Sequence, residues 1–276
     1  MSMSYVKMNK MRHIENVNEI KDVITTVKSN GDEWYTNYFV SDDGVERWIK
    51  NRQIMMFRDD TTVFLLRRRK NFFLIYFFSS SIDGFVSCLN NLVNSTEVTL
   101  SVDVLYKKET PIEECLLQKG FSKRAGLYRM RLGNYLQMAE GLSNVCYAEI
   151  NDAENIEDML NDEFDELCEQ IPEKEEIERA VASKQIIVLK DNKEIVSLLW
   201  IEKKGAIATV RYWITDNRYR GRGAGTCVLN QALSLHSDAR QIFVWVKENN
   251  YGAIKEYEKT GFVRDGLRDD VYCFIR

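Results

Sequence analysis

Residues 218–226 restrict the fold of this chain more than any other stretch, because they read Arg-Tyr-Arg-Gly-Arg-Gly-Ala-Gly-Thr. Glycines at alternate positions leave the backbone uncovered beside several arginines. A strand-like run, 209–215, precedes the stretch, and an apolar-periodic run, 227–235, follows it. A strand, a bare cationic turn and a helix N-terminus together predict an anion site, since the first amides of a helix lack intrahelical partners and its dipole favours negative charge. We therefore expect a ligand that carries phosphate.

Composition limits the class of protein that surrounds this site. With 276 residues, 45% of them hydrophobic and 29% charged, the chain fits one large or two ordinary soluble domains. We find no apolar run of membrane-spanning length and no signal-peptide core, so we expect a cytoplasmic protein that does not bind membranes. The net charge of −4 does not favour nucleic-acid binding. Six scattered cysteines and two histidines predict buried thiols and no metal site.

The order of predicted elements indicates an α/β (α+β) fold built from mixed sheets. Helix-like and strand-like runs alternate in both halves of the chain. We predict an N-terminal domain at 1–133, a linker at 134–143 and a C-terminal domain at 144–276. The apolar spacing from Ile156 to Ile171 predicts a long amphipathic helix over Glu154–Ile171.

The two halves align at one constant offset, which predicts an internal duplication. Three matches carry the alignment: Gly84 with Gly225, Gly120-Phe121 with Gly261-Phe262, and the strand Phe72–Phe78 with Trp213–Tyr219. In this alignment Ser79 and Ile82 stand opposite Arg220 and Gly223, so the first copy has lost the glycine-rich anion site.

Three kinds of phosphate site can be compared with the glycine-rich stretch. A Walker A loop is excluded, because no Gly-Lys-Ser/Thr follows the glycines. A dinucleotide-binding fingerprint has different glycine spacing and lies early in its domain. The third comparison fits residue by residue: Arg220-x-x-Gly223-x-Gly225 resembles the Arg/Gln-x-x-Gly-x-Gly/Ala motif of the GNAT superfamily of acetyl-CoA-dependent N-acetyltransferases.

A second block strengthens the resemblance to the GNAT superfamily. Asn250-x-x-Ala253-x-x-x-Tyr257-x-x-x-Gly261-Phe262 is similar to the second conserved block of that superfamily at full spacing. The resemblance covers residues from about 145 to 276 and extends more faintly to the first half. It implies two GNAT-like domains in tandem, with the acetyl-CoA site in the second.

The resemblance also implies roles for individual residues. The CoA pyrophosphate would be held by the amides of a run of six residues, namely Gly221, Arg222, Gly223, Ala224, Gly225 and Thr226. Arg220 and Arg222 would add positive charge. The backbone of Ile214 and Thr215 would pair with the pantetheine, one amide polarising the acetyl carbonyl. Asn250 would bond the pantetheine, and Tyr257 would protonate the leaving thiolate during direct attack by an amine.

This chain departs from the superfamily pattern where a catalytic base is expected. Many relatives carry a glutamate on the strand before the loop, whereas this chain has Thr209-Val210-Arg211 there. Three other acidic residues are alternatives, namely Glu202, Asp216 and Glu248, and water is another. The missing base keeps a second function open, a non-catalytic acyl-CoA-binding or regulatory module.

The acceptor is predicted from charge. Thirteen acidic residues lie between Asp152 and Glu178, where the superfamily often builds its acceptor site, against the bases Lys174 and Arg179. We hypothesise a small-molecule amine or a peptide amine, with a cationic amine favoured. An ordinary solvated acidic face is the other explanation. The first half would wall the acceptor site, mediate dimerisation or stabilise the second half, in a monomer or a homodimer.

Overall fold

The chain forms two compact units in a computed structural model that describes residues 11–133 and 145–276. The first unit consists of the chain up to Gly126 together with the C-terminal segment Arg268–Arg276, and the second unit spans Leu127–Leu267. The predicted boundaries, 1–133 and 144–276, therefore differ from the structure at two strands. The reason is that a strand belongs to the sheet with which it forms hydrogen bonds, wherever its chain neighbours lie. The predicted linker, 134–143, lies outside the described residues.

The first unit has a mixed sheet with helices packed on it. Its elements, in chain order, are β1 (Arg12–His13), α1 (Val17–Ser29), β2 (Tyr35–Thr36), α2 (Asp42–Lys50), β3 (Ile54–Arg58), β4 (Thr62–Arg68), β5 (Phe72–Ser79), α3 (Ile82–Ser95), β6 (Thr99–Tyr106), α4 (Pro111–Gln118) and the start of β7 (Ser122–Gly133). The strands run β1-β3-β4-β5-β6, and the chain's last strand, β13 (Val263–Phe274), joins β6 from Arg268 onwards. Among the strand pairs described for this sheet, β5 with β6 is the parallel pair.

The second unit has a sheet of the same kind. The end of β7 is followed by β8 (Val145–Tyr147), α5 (Ala153–Glu163), α6 (Lys174–Ala182), β9 (Ile186–Asp191), β10 (Glu194–Lys204), β11 (Ile207–Thr215), α7 (Ala224–Leu235), β12 (Gln241–Lys247), α8 (Tyr251–Lys259) and the start of β13. Its strands run β7-β12-β11-β10-β9-β8, and β11 and β12 are parallel. The mixed sheets of both units confirm the predicted fold class.

Two apolar cores lie on opposite faces of the second sheet. On one face α7 and α8 pack through residues such as Val228 and Ile254. On the other face α5 and α6 pack through residues such as Ile156 and Ile177. In the part of the chain that the structure describes, no helix is long and apolar enough to cross a membrane.

Helix α5 is shorter than its apolar periodicity predicts. The predicted helix Glu154–Ile171 ends at Glu163, and residues 164–173 continue without regular structure. Two contacts account for the break: the Asp165 carboxylate accepts the Leu167 amide at 3.1 Å, which competes with helical bonding, and the Phe164 ring packs 5.3 Å from that of Tyr212. Tertiary packing therefore overrides the local pattern here.

The repeat is real at the level of topology, but its offset is not constant. The parallel pair of the first unit begins at Phe72 with Thr99, and that of the second unit begins at Ile207 with Gln241. These equivalent pairs place β11 135 positions after β5 (207 − 72). Helices α3 and α7 begin 142 positions apart (224 − 82). The alignment of Phe72–Phe78 with Trp213–Tyr219 is therefore wrong, and β5 corresponds to β11. The loop before the helix grows from two residues, 80–81, to eight, 216–223.

Candidate active site

Strands β11 and β12 separate at the candidate site. Their parallel pairing runs from Ile207 with Gln241 to Val210 with Val244 and then stops, although both strands continue. No described strand pairs with this edge of β11 beyond Val210. The two strands therefore leave a wedge-shaped opening between residues 211–215 and 245–247, which we call the β11–β12 cleft.

A β-bulge lies where the cleft begins. The register of β10 with β11 shifts between Trp200, which faces Tyr212, and Ile201, which faces Val210, so that Arg211 is the extra residue. Because of this bulge Val210 packs in the α7/α8 core, whereas Tyr212 and Ile214 pack in the α5/α6 core. The bulge therefore rotates the end of β11 as the strands separate.

The bulge residue holds the first of the proposed alternative bases. The Arg211 guanidinium donates to Glu202 at 2.9 Å and to Glu176 at 3.0 Å. A second alternative, Asp216, receives hydrogen bonds from Arg218, and these bonds lower the pKa of its carboxyl group. Both carboxylates are therefore held in ion pairs with arginines. The third, Glu248, directly follows β12.

The N-terminus of α7 presents bare amides beside the cleft. Gly223 is the N-cap residue, with φ of 84°, and its carbonyl accepts the first helical bond from the Cys227 amide at 3.0 Å. Glycine has no side chain that could cap the helix, and the amides of 221–226 donate to none of the described residues. These amides are thus available to an anion, as the sequence predicts.

The glycines of this loop have two different functions. A Cβ atom added to Gly221 or Gly223 would meet nothing within 4 Å, so the space above both is open. At Gly225 an added Cβ would lie 2.7 Å from the Thr215 hydroxyl and 3.1 Å from the Trp213 ring. The Trp213 indole also donates to the Gly225 carbonyl at 3.1 Å. Gly225 therefore allows α7 to approach β11, and the other two shape an open anion site.

The three arginines of the loop differ in what they contact. Arg220 donates from Nε to the Thr215 carbonyl at 2.9 Å and pairs with Glu163 at 2.7 Å. It therefore fixes the loop to the end of β11 and to α5. Arg218 is bound by Asp216, whereas Arg222 is exposed and has no acidic partner among the described residues. Arg222 is the cation of this loop that remains available to a ligand.

Tyr257 lies beneath the cleft on the α7/α8 side. Its ring is 3% exposed and lies 5.1 Å from that of Trp213, on β11. Burial raises the pKa of its hydroxyl well above the ordinary value, so the group stays protonated at neutral pH. The hydroxyl has no hydrogen-bond partner among the described residues. The Tyr257 hydroxyl is therefore protonated and free to donate a hydrogen bond.

The remaining predicted ligand contacts are partly occupied by the protein itself. The Asn250 side chain caps α8 by accepting the Ala253 amide at 3.1 Å, which leaves its NH₂ group as the available donor. The Ile214 carbonyl accepts the Ser197 hydroxyl at 2.8 Å. The Thr215 carbonyl is bound to Arg220. The Asp216 amide donates to the Val196 carbonyl, so the alternation of the antiparallel pair turns the Ile214 amide towards Leu198 of β10. The Thr215 amide is therefore the group left for a ligand.

The described part of the first unit has no comparable open helix N-terminus at α3. Its helix α3 is capped by Ser81, whose hydroxyl accepts the Gly84 amide at 3.3 Å. The loop before α3 contains only Ser80 and Ser81. An added Cβ at Gly84 would lie 1.9 Å from the Thr61 hydroxyl, so the space above this turn is already filled.

A side chain also fills the gap between β5 and β6 in the first unit. The pairing of these strands stops at Ile75 with Val102, as it does in the second unit. The buried Asn37 amide donates to the Ile75 carbonyl at 2.9 Å and to the Asp103 carbonyl at 2.8 Å, and its oxygen accepts the Phe77 amide at 2.7 Å. The first unit therefore satisfies by itself the backbone groups that the second leaves open.

One residue near the cleft was not predicted from the sequence. Glu169, in the segment between α5 and α6, pairs with Lys247 of β12 at 2.7 Å. The Tyr212 hydroxyl donates to the carbonyl oxygens of Glu169 and Gln170 at 3.2 and 3.1 Å. The sequence signal was hidden, because the helical periodicity placed this glutamate on the outer face of a longer helix. No group of metal-ligating side chains occurs among residues 11–133 and 145–276.

Comparison with known proteins agrees with this geometry. The model of the Acetyltransferase (GNAT) family matches residues 153–262, which include the cleft, the glycine-rich loop and Tyr257. No curated protein sequence matches the chain.

Solved structures resemble the chain along nearly its whole length. A GCN5-related N-acetyltransferase from Sphaerobacter thermophilus has a TM-score of 0.62 at 12% identity, with 96% of each chain covered. A tandem GNAT protein from the clavulanic acid biosynthesis pathway has a TM-score of 0.59 at 10% identity, with 94% of each chain covered. An acetyltransferase of the GNAT family from Colwellia psychrerythraea has a TM-score of 0.55 at 12% identity, with 97% of this chain and 100% of that chain covered. At such identities the likeness shows the fold alone. Residues 153–262 thus form an acetyltransferase domain of the GNAT family, in a chain that carries the fold twice.

Proposed function

We propose that the second unit transfers an acetyl group from acetyl-CoA to a primary amine. The observation that carries this proposal is the combination of bare amides at the α7 N-terminus with an open β11–β12 cleft and an unbonded tyrosine hydroxyl beneath it. Acetyl-CoA would supply the activated acyl group. The amides of 221–226 and the free cation of Arg222 fit its pyrophosphate, and the unpaired edge of β11 fits an extended amide-bearing arm.

The residues of the cleft suit direct transfer. The Thr215 amide, at the end of β11, would donate to the acetyl oxygen as negative charge develops there. The Tyr257 hydroxyl would donate its proton to the departing sulfur. A buried, protonated phenol that bonds to no protein group can make this new bond without breaking another. We expect no covalent enzyme intermediate.

We further propose that the amine is a small molecule or a peptide amine, and that cationic amines are preferred. The α5/α6 region is acidic, and Glu154, Asp158, Asp162 and Glu175 are exposed there. A negative surface raises the local concentration of cations and speeds their association. Acetylation rates of spermidine and of a neutral amino acid, compared at low and high salt, test this preference. Faster acetylation of the neutral amino acid at low salt would contradict it.

The Tyr257→Phe variant tests the transfer reaction. This change removes one oxygen and keeps the ring contacts with Trp213 and Phe262. We expect kcat to fall about 10²-fold, since general acid catalysis contributes 10²–10⁴-fold. Binding of acetyl-CoA, followed by thermal shift, should be unchanged. Unchanged kcat would remove Tyr257 from the role of acid. Binding of acetyl-CoA without turnover of any amine by the wild type would instead indicate a non-catalytic acyl-CoA-binding module.

A further inference from the structure

The segment between α5 and α6 crosses the β11–β12 cleft and carries Glu169 to its mouth. On one side the Tyr212 hydroxyl, on β11, holds the backbone carbonyls of Glu169 and Gln170. On the other side Lys247, on β12, holds the Glu169 carboxylate at 2.7 Å. Tyr212 lies past Val210 and Lys247 lies past Val244, where the two strands stop pairing. Glu169 is therefore fixed from both strands at the point where they have separated.

The carboxylate of Glu169 is oriented with one oxygen free. Its Oε2 atom accepts from Lys247 and from the Asp165 amide, the latter at 2.9 Å. Its Oε1 atom has no partner among the described residues. The side chain is 12% exposed, which leaves a narrow path to solvent. A carboxylate held through one oxygen can accept a proton at the other without rearranging its surroundings.

Burial makes Glu169 a stronger base than a solvated glutamate, against the opposing charge of Lys247. Burial raises the pKa of Glu169, and the negative charge of Asp165 acts in the same direction. The hydrogen bond and the positive charge of Lys247 oppose both effects. The Tyr212 hydroxyl faces the backbone oxygens and not the carboxylate. The other acidic residues bound near the cleft are less available, since Glu163, Glu176 and Glu202 are paired with arginines.

We infer that Glu169 is the base that deprotonates the acceptor amine, an inference that rests on the proposed acetyl transfer. The ammonium form of the acceptor gives one proton to Oε1 of Glu169, which frees the nitrogen lone pair. The nitrogen then bonds to the thioester carbonyl carbon, and the carbon–sulfur bond breaks. The Tyr257 hydroxyl protonates the sulfur and regains a proton from the nitrogen. Glu169 finally releases its proton to water, so that one proton leaves for each ammonium ion acetylated.

The Glu169→Gln variant tests this inference directly. Glutamine keeps the shape of the side chain and an oxygen for the Asp165 amide, but it cannot take up a proton. We expect kcat to fall by about 10²-fold or more, and the acidic limb of the kcat/KM pH profile to lose the ionisation of Glu169 and keep only that of the acceptor amine. The Kd for acetyl-CoA should stay within about twofold of the wild type. Glu176→Gln is the matched control, since Glu176 is paired with Arg211, and it should keep the wild-type pH profile.

The Lys247→Met variant provides a second readout that a purely structural residue would not move. Methionine keeps an unbranched apolar side chain and removes the cation that lowers the Glu169 pKa. Activity rises with pH as the base loses its proton, so a higher pKa must move the acidic limb to higher pH. If Glu169→Gln unfolds, this shift decides the matter, and a limb that stays in place would overturn the inference.

The possible outcomes separate the inference from the proposed function. An active wild type with a fully active Glu169→Gln variant would overturn the role of Glu169 and leave acetyl transfer intact. A wild type that binds acetyl-CoA and acetylates no amine would contradict the proposed function and the inference together. Loss of the Glu169 ionisation from the acidic limb in Glu169→Gln but not in Glu176→Gln would support both.

Discussion

The anion site at the α7 N-terminus makes a quantitative prediction at Gly223. This residue has φ of 84°, and an added Cβ atom would project into open space. In Gly223→Ala the left-handed backbone costs about 1–2 kcal/mol, without a clash. In Gly223→Asp the same backbone strain is joined by a negative charge beside the amides that would hold the pyrophosphate.

The charge has a calculable effect on acetyl-CoA binding. Two unit charges 4 Å apart repel by about 1 kcal/mol in water and about 4 kcal/mol at the effective dielectric of a protein surface. Since each 1.4 kcal/mol is a tenfold change, the Kd should rise between about fivefold and 10³-fold in Gly223→Asp. The effect should weaken as salt is added, because an exposed charge is screened.

Gly205 offers a matched control for this experiment. It lies in the turn between β10 and β11, has φ of 61°, and also has nothing within 4 Å of an added Cβ. Gly205→Asp therefore carries similar backbone strain and the same charge, away from α7. Titration calorimetry with acetyl-CoA should show weak binding in Gly223→Asp and wild-type binding in Gly205→Asp. Equal affinities in the two variants would refute the assignment of the anion site.

Three further predictions concern residues that support the site or its degenerate copy. Asn37→Ala leaves three backbone groups of the first unit without partners, at about 1–3 kcal/mol each, and should lower Tm far more than Asn30→Ala in a thermal melt. The Asn37→Ala change should not create a second acetyl-CoA site, so calorimetry should still show one acetyl-CoA bound per chain. Two molecules bound per chain would contradict this expectation. Trp213→Phe removes the hydrogen bond to the Gly225 carbonyl and should lower the free energy of unfolding, measured in urea, by about 0.5–1.5 kcal/mol. An unchanged free energy of unfolding would show that this bond does not stabilise the protein. Arg220→Met should weaken acetyl-CoA binding by freeing the loop, and an unchanged Kd would contradict this role.

The open N-terminus of α7 could be predicted because its determinants are local. Helix α7 begins at Ala224, directly after Gly223, whose backbone is left-handed, and the preceding strand ends at Thr215. Backbone freedom, an arginine and a helix start all lie within ten residues, so short-range patterns capture them. The mixed α/β class follows in the same way from alternating helical and strand-like runs.

The prediction failed where distant contacts decide the local structure. The apolar spacing that continues past Glu163 gives no sign that Tyr212 draws the chain away from helix to cover the cleft. The bulge at Arg211 likewise depends on the partner strand and not on the sequence of β11 alone. Both features determine where Glu169 lies, so no local pattern indicates a base at that position.

The division into units failed for the same reason. Residues 127–133 and 268–274 pair with strands far away in sequence, and no linker composition marks the point at which the chain changes sheet. The internal repeat was found from its glycines, but the six additional loop residues and the bulge shift its register. Asn37 fills the gap between β5 and β6 by bonding three backbone groups that are distant from it in sequence. An alignment of the two halves therefore could not show that this gap is closed.

Release of free CoA thiol, measured over a panel of amines with acetyl-CoA, decides whether the second unit transfers acetyl groups. We predict amine-dependent thiol release and an equal amount of acetylated amine by mass spectrometry, with cationic amines reacting fastest and Tyr257→Phe much slower. Saturable binding of acetyl-CoA with no amine-dependent thiol release from any member of the panel would contradict it.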